Sequence, residues 1–162
     1  MGKLAIRRVI YSGKKYSFES PYLNDGIVIL EGVNGRGKST FMNLLYYGLG
    51  GKVDAFNKKN NDVNSKHTEI YNDDGNYVEL HIQINDVNYE ITRHIGDNLI
   101  FIVGEDKEVI ETCISRNTSD KDITIFSDWM LSKLEIDVFD IIQGTKSFKL
   151  NFTDLMRLIY HD

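Results

Sequence analysis

Ten residues near the start of the chain have the types and spacing needed to hold a phosphate group. The stretch Glu31-Gly32-Val33-Asn34-Gly35-Arg36-Gly37-Lys38-Ser39-Thr40 fits the pattern G-x-x-x-x-G-K-[ST], the P-loop. Glycines let the backbone turn tightly and point its N–H groups at phosphate oxygens. In this pattern the lysine contacts the β- and γ-phosphates, and the next hydroxyl is a ligand of Mg²⁺. We therefore predict a nucleotide site formed by Asn34, Gly35, Arg36, Gly37, Lys38, Ser39 and Thr40, with Ser39 on the metal.

A phosphate loop needs a strand before it and a helix after it. The apolar run Ile27–Leu30 precedes the loop and predicts a buried strand. After the loop, apolar residues recur at helical spacing, which predicts a helix from Lys38 to Leu49 that ends at Gly50-Gly51. The partial positive charge at the start of this helix favours an anion there. The flanks thus support a phosphate-binding loop over an accidental glycine turn.

The order of the remaining elements differs from a simple alternation of strands and helices. Two strands, Leu4–Tyr11 and Tyr16–Ser20, are predicted before the loop, and an antiparallel meander after its helix. The predicted meander strands are Tyr77–Ile84, Val87–Ile95 and Leu99–Val103. Further predictions are a polar loop over 52–66, a helix over Ser127–Leu134 with Asp122 or Ser127 near its start, a strand over Val138–Ile142, and a helix over Leu155–Tyr160 capped within 151–154. We expect a mixed α/β (α+β) fold in which a P-loop core carries an antiparallel β subdomain.

Composition limits the classes of protein that this chain can belong to. It has 162 residues, 41% of them hydrophobic, which suits one globular domain, and no apolar run approaches a membrane span or a signal peptide. Cys113 is the single cysteine, so we expect a core residue and a reducing cytoplasm. The net charge of −5 argues against a general nucleic-acid binder. Basic pairs stand at Arg7-Arg8, Lys14-Lys15 and Lys58-Lys59, and the last is the best candidate for nucleic-acid contact.

The loop and one later segment resemble a known family. Gly32 to Thr40 matches G-x-N-G-x-G-K-S-T, and its Asn34 is not required by a generic P-loop. Ile141-Ile142-Gln143-Gly144 is similar to a Q-loop, and Gln143 follows Lys38 by 105 residues. The chain thus resembles the N-terminal lobe of an ABC-type ATPase head of the SMC (structural maintenance of chromosomes), double-strand-break-repair, RecF and RecN kind. Val33 and Arg36 depart from the pattern, which usually has proline and a small residue there, and Arg36 is long enough to reach phosphate or a partner head.

The resemblance implies a function that this chain performs only with partners. It implies that residues 1–162 form one lobe, with the P-loop at 32–40, the meander at 76–103 and the Q-loop near 143, and that a coiled coil and a C-terminal lobe are absent. ATP and Mg²⁺ are the implied cofactors, Lys38 and Gln143 the catalytic residues, and Ser39 and Gln143 the metal ligands. The implied partners are a C-terminal lobe, a second head that makes a homodimer, DNA bound by the assembled dimer, and a nuclease or accessory subunit. No membrane association is implied, and the implied cellular location of the protein is the bacterial cytosol or nucleoid, or the nucleus of a eukaryote. The implied role is a DNA clamp or sensor in repair, chromosome organisation or antiviral defence.

Two alternatives remain open from the residues. The run Leu99–Val103 followed by Glu105-Asp106 imitates an acidic strand end, so a self-contained NTPase or kinase would use Glu105 or Asp106 as its base. The same residues also suit an ordinary hairpin turn. The second alternative is a nucleotide-dependent assembly module without catalysis. Tyr11 stands where the family's adenine-contacting loop would lie, although the family's basic residue is missing.

Overall fold

The fold is built around one twisted, largely antiparallel sheet. A computed structural model describes residues 2–33, 35, 37–56, 68–116, 120 and 122–159. The main sheet runs in the order β2-β1-β3-β4-β5-β6-β7, and β8 and β9 form a separate hairpin. The strands are β1 (Leu4–Ser12), β2 (Ser17–Glu19), β3 (Tyr77–Ile84), β4 (Val87–His94), β5 (Leu99–Val103), β6 (Val109–Ile114), β7 (Thr124–Ile125), β8 (Asp140–Gln143) and β9 (Lys146–Lys149). This confirms a mixed α/β fold.

Four helices are described. They are α1 (Lys38–Gly48), α2 (Thr68–Tyr71), α3 (Phe126–Lys133) and α4 (Phe152–Ile159), with one 3₁₀ turn at Asp54–Phe56. No helix in these described ranges has the length and apolar character needed to cross a bilayer. The helix predicted after the P-loop is confirmed within one residue. The predicted loop over 52–66 is described only through residue 56 of that range.

The central strands alternate as the sequence predicts. In β3, Val78, Leu80, Ile82 and Ile84 are buried, while the residues between them face the other side of the sheet and are half-exposed. The pairing of β3 with β4 continues without a break from Tyr77↔His94 to Ile84↔Val87. Period-two burial combined with a tight turn fixes the register, because a shift by one residue would expose the apolar set. The buried face of these strands, covered by α1 and α3, forms the core.

Helix α1 lies close against this face. A Cβ added at Gly48 would come 2.6 Å from side-chain atoms of Leu80, so glycine permits the helix to approach the sheet. The buried guanidinium of Arg93 holds the other side of the same junction. It donates to the carbonyls of Tyr47 and Gly51, both at 2.9 Å, and lies 3.8 Å from the centre of the Tyr47 ring. Carbonyls at a helix C-terminus lack intrahelical donors, so this arginine supplies them and fixes the end of α1.

Three local predictions need correction. Ile27–Leu30 is not a strand: it lies outside both sheets, and Ile27 and Ile29 are 94% and 82% exposed. An apolar run becomes a buried strand only where another strand pairs with its backbone, and none of the described strands does so. Helix α3 begins one residue earlier than predicted, at Phe126, and Ser127 lies in its first turn. The last helix starts earlier than predicted, at Phe152, because Asn151 accepts the backbone N–H of Asp154 at 2.9 Å and serves as its cap.

Candidate nucleotide-binding site

The described part of the P-loop has the backbone shape that phosphate binding requires. Gly35 and Gly37 have φ angles of +82° and +89°, in the left-handed region that favours glycine. A Cβ built at either position would meet no described atom within 4 Å. Gly37 immediately precedes α1, whose first hydrogen bond runs from the N–H of Phe41 to its carbonyl at 2.9 Å. Among the described atoms, therefore, none fills the space beside these two glycines in front of the helix N-terminus. Asn34 and Arg36 lie outside the described residues.

Lys38, Ser39 and Thr40 form the first turn of this helix. The ammonium of Lys38 donates to the carbonyl of Gly32 and to that of Val33, the latter at 3.1 Å, so it lies beside the loop. Ser39 is exposed, and the first turn contains no acidic residue. The N–H groups at a helix start have no intrahelical acceptor and carry a partial positive charge. This arrangement of one ammonium, one hydroxyl and a helix start suits an anion such as a polyphosphate.

An aromatic cavity of about 260 Å³ adjoins the start of the helix. Its lining includes Gly37 and Thr40 on one side and the exposed rings of Tyr16 and Phe18 on the other. Phe18 and Phe41 meet edge to face, with their ring centres 6.1 Å apart. Planar heterocycles stack on such rings, so this cavity suits the base of a nucleotide whose phosphates lie at the loop. Sequence reasoning missed Tyr16 and Phe18, because the pairing of β1 with β2 is what carries them to the helix.

Tyr11 lines the same cavity, but its hydroxyl serves the fold. It donates to Oδ2 of Asp73 at 3.1 Å and accepts from Nδ2 of Asn76 at 3.0 Å. Burial raises the pKa of Tyr11 to about 12, and its contact with Asp73 adds to the rise. A buried phenol held by two partners is a structural group. The exposed rings near it are better placed to contact adenine than Tyr11, which the sequence suggested.

Asp73 organises the turn that presents those rings. Its carboxylate accepts the backbone N–H groups of Lys14, Lys15 and Tyr16 at 3.0 to 3.4 Å. Burial by itself would raise the pKa of Asp73, but the N–H groups and the Tyr11 hydroxyl lower it, and the net pKa is below its usual value. Three N–H donors on one carboxylate hold the β1–β2 turn in a single shape. Sequence reasoning missed Asp73, since nothing local ties it to a turn almost sixty residues earlier.

None of the described contacts joins the second predicted site segment to the loop. Gln143 ends β8, where it pairs with Lys146 across a turn at Gly144, and the description of Gln143 extends only to its backbone. The hairpin is tied to α3 by the ion pair between Lys149 and Asp128 at 2.8 Å. None of the described contacts joins Gln143 to Lys38. Its predicted role on magnesium therefore stays a prediction.

The acidic pair behind the self-contained enzyme alternative lies in a turn. Glu105 and Asp106 connect β5 to β6, and Glu105 accepts weakly from the backbone and side chain of Asn88 at 3.3 to 3.4 Å. The described contacts of Glu105 are therefore with β4 and not with the P-loop. The hairpin interpretation is confirmed.

The basic pairs give little support for a nucleic-acid surface. Arg7 contacts Asp25 at 2.9 Å, and Arg8 contacts Glu19 at 2.5 Å, so both carry local counterions. Lys58-Lys59 lies outside the described residues. Cys113 is buried, and burial raises the pKa of its thiol to about 12, as suits an inert core residue.

Sequence comparisons identify the family. The model of a family described as AAA domain matches residues 10–156, which covers the end of β1, the P-loop, strands β2 to β7 and the β8–β9 hairpin. The chain belongs to the AAA domain family. The AAA domain is also similar to the DNA double-strand break repair Rad50 ATPase of Thermococcus kodakarensis, with 27% identity over 131 residues. These two matches confirm the resemblance to the N-terminal region of SMC- and Rad50-like ATPases.

The match to the Rad50 ATPase covers only a small part of that protein, which limits the conclusions that it supports. It covers 81% of this AAA domain but 14% of the Rad50 ATPase, so the chain corresponds to about one seventh of that protein's length. No solved structure matches the chain significantly. The comparisons thus support an ATPase head in general, and the roles of the individual residues rest on the geometry described above.

Proposed function

We propose that this AAA domain is the ATP-binding half of an SMC-like ATPase head. The observation that carries the proposal is the open space in front of α1, bounded by two left-handed glycines and the ammonium of Lys38. A triphosphate matches this space in charge, since helix N-termini and glycine loops bind phosphate oxygens. The adjoining aromatic cavity matches an adenine base. The donors present therefore fit ATP, and the exposed hydroxyl of Ser39 fits Mg²⁺.

Each group has a distinct task in this proposal. The N–H groups of the loop and of the first turn of α1 hold the phosphate oxygens in place. Lys38 moves from the carbonyls of Gly32 and Val33 to the β- and γ-phosphates and neutralises the charge that develops during phosphoryl transfer. Ser39 holds Mg²⁺, which supplies further neutralisation when bound. Asn34, Gly35, Arg36 and Thr40 complete the predicted cradle, and Tyr16 and Phe18 stack on the base.

Hydrolysis in this proposal requires a second lobe and a second head. Glu105 and Asp106, the nearest imitation of an acidic strand end, lie in the β5–β6 turn and contact β4, so this pair supplies no base beside the loop. The exposed apolar run Ile27–Leu30 offers an unpaired segment directly before the loop. We propose that a C-terminal lobe pairs with this run and that ATP joins two such heads as a homodimer, with Gln143 placed on Mg²⁺ and water in that state.

The biological role in this proposal is an ATP-controlled clamp or sensor on DNA. The support is the similarity to the DNA double-strand break repair Rad50 ATPase of Thermococcus kodakarensis. Repair, chromosome organisation and defence against foreign DNA all use such clamps, and a nuclease or accessory subunit is the corresponding partner. Lys58-Lys59 is the basic pair that we propose for DNA contact.

The decisive experiment is calorimetry of ATP and Mg²⁺ binding to the Lys38→Ala variant. A hydrogen bond to a charged group contributes about 1.5–3 kcal/mol, so affinity is expected to fall by roughly ten- to a hundredfold. Lys52→Ala is the matched control, because Lys52 is an exposed lysine just beyond the same helix that pairs with Asp54. Equal affinities of a folded Lys38→Ala variant and the control would refute the nucleotide site.

A further inference from the structure

Three side chains that can bind a metal ion meet on the sheet face opposite the core. Glu79 and His81 lie on β3, two residues apart and therefore on the same face, and Glu90 on β4 is the direct cross-strand partner of His81. One ligand atom from each residue lies within 4.8 Å of the others. None of these residues belongs to the P-loop or to the aromatic cavity. The cluster has no assigned role in the nucleotide site.

The imidazole is the centre of the cluster. Its Nε2 lies 2.7 Å from Oε1 of Glu79 and 3.8 Å from Oε1 of Glu90. Tetrahedral ligands that hold Zn²⁺ at about 2.0–2.2 Å are about 3.3–3.6 Å from one another. One of the two observed separations is shorter than this range and the other is longer. Small rotations of the two glutamates would bring all three atoms onto one ion. Imidazole combined with carboxylate suits transition metals, whereas Mg²⁺ and Ca²⁺ prefer oxygen ligands alone.

We propose that Glu79, His81 and Glu90 bind a divalent transition-metal ion of the Zn²⁺ class. The backbone under the site is rigid, because β3 lies between β1 and β4 and the other face of the pair carries fully buried Leu80 and Ile91. A rigid scaffold keeps the ligands together before the ion arrives. The three side chains are about a quarter to a third exposed, so an ion can enter from solvent.

The surroundings leave an open coordination position. A cavity of about 250 Å³ lies beside His81 and Glu90, and its lining includes Asn88, Glu105 and Lys107. Such a cavity has room for a water ligand, which three-ligand zinc sites commonly keep. With neutral His81, the three ligands carry two negative charges, and the ammonium of Lys107 against Glu90 compensates one of them. The remaining negative charge favours a cation.

Lys107 competes with the ion for Glu90, which gives the proposal a specific consequence. The ammonium is on Oε1 of Glu90, the same oxygen that lies nearest to His81, so a metal ion bound there competes with it and is repelled by its charge. Removal of the ammonium is therefore expected to strengthen metal binding. If the cluster is only a surface ion-pair network, Lys107→Ala should not strengthen metal binding, because the substitution would remove one member of the network and create no affinity for metal.

The test is calorimetric titration of ZnCl₂ into the full chain, without nucleotide, in a buffer that does not bind metal. One equivalent is expected to bind to the wild type. His81→Gln removes the single nitrogen ligand and should weaken binding at least tenfold, while Lys107→Ala should strengthen it several-fold. His94→Gln is the matched control, since His94 lies on β4 beside Tyr77 and outside the cluster, and its affinity should equal that of the wild type.

A second measurement makes the outcome independent of the heat signal. Zinc that binds the folded chain raises its melting temperature by mass action, so the rise should occur in the wild type and be lost in a folded His81→Gln variant. Co²⁺ bound at the same site should give visible absorption, and this absorption should disappear when Zn²⁺ displaces the Co²⁺. The proposal is overturned by absence of zinc binding, by equal affinity in His81→Gln, or by unchanged or weaker binding in Lys107→Ala. Loss of binding in Lys38→Ala alone would instead place the metal at the phosphate loop.

Discussion

Gly37 provides a test that separates the phosphate site from the stability of the fold. Its φ of +89° favours glycine, but asparagine adopts positive φ more readily than other residues. A Cβ at this position would meet no described atom within 4 Å, so the Cβ that Gly37→Asn adds introduces no clash with the described atoms. The new side chain would occupy the open space before α1. We therefore expect a folded protein that no longer admits phosphate.

The expected magnitudes differ for the two properties. Left-handed backbone costs an ordinary L-residue roughly 1–2 kcal/mol, and asparagine less, so the free energy of unfolding should fall by about 1 kcal/mol or less. Loss of one or more charge-assisted contacts to phosphate should cost about 1.5–3 kcal/mol each, which is roughly ten- to a hundredfold in ATP affinity. The loss of binding should thus clearly exceed the loss of stability.

The assay combines urea unfolding with calorimetry of ATP and Mg²⁺. Gly75→Asn is the matched control, since Gly75 has a φ of +62° in the turn before β3 and is equally open to a Cβ. The control should retain wild-type affinity. A folded Gly37→Asn variant that binds ATP as tightly as Gly75→Asn would refute the reasoning, because the space before α1 would then not hold phosphate.

Three further predictions concern turnover and pH. Gln143→Ala should spare ATP binding and reduce phosphate release in a head completed with its C-terminal lobe; a binding loss as large as that of Lys38→Ala would contradict this. The chain alone should bind ATP with almost no turnover, since a general base is worth about 10²–10⁴-fold, and Glu105→Gln should change nothing in a phosphate-release assay. Asp73→Asn should lower the melting temperature at pH 7. The pKa of Asp73 is lower in the folded protein than in the unfolded chain, where it is about 4. The ionised carboxylate therefore stabilises the fold above about pH 4, and this stabilisation is lost as the pH falls through the folded pKa. Thermal scans at decreasing pH should show a smaller fall in melting temperature for the variant than for the wild type.

The sequence predicts the elements whose signals are local. The alternation of β3 and the apolar spacing of α1 each arise from residues adjacent in the chain, and both elements are found within a residue or two of their predicted bounds. β6, which was not predicted, has mixed burial and lacks a clean alternation. Ile27–Leu30 fails for another reason. Its pattern predicts burial, but burial depends on a partner strand that no local pattern specifies.

The same distinction divides the candidate site. The part of the candidate site that would hold phosphate is predicted from one continuous motif, and the left-handed conformations of Gly35 and Gly37 agree with that prediction. The part that would hold the base of the nucleotide cannot be predicted in this way, because the exposed rings of Tyr16 and Phe18 reach the cavity only through the pairing of β1 and β2. The Glu79 and Glu90 carboxylates meet His81 through the register of β3 and β4. Register is a property of the folded sheet, so a search for motifs along the chain does not find such clusters.

Two buried polar groups connect the halves of the nucleotide site to the sheet. Arg93 holds the carbonyl end of α1, and Asp73 holds the turn that carries the aromatic wall of the cavity. Both act at a distance from the phosphate loop and contact it only through the elements that they fix. Their interactions are formed within this chain, so the base cavity and the helix start are positioned before ATP arrives, which reduces the entropy lost on binding. The groups needed for catalysis are not positioned in the same way, because the apolar run Ile27–Leu30 before the loop is exposed and the acidic pair Glu105-Asp106 lies in the β5–β6 turn. In the proposed function, ATP binding is therefore a local property of this chain, whereas turnover would depend on a partner surface that pairs with Ile27–Leu30.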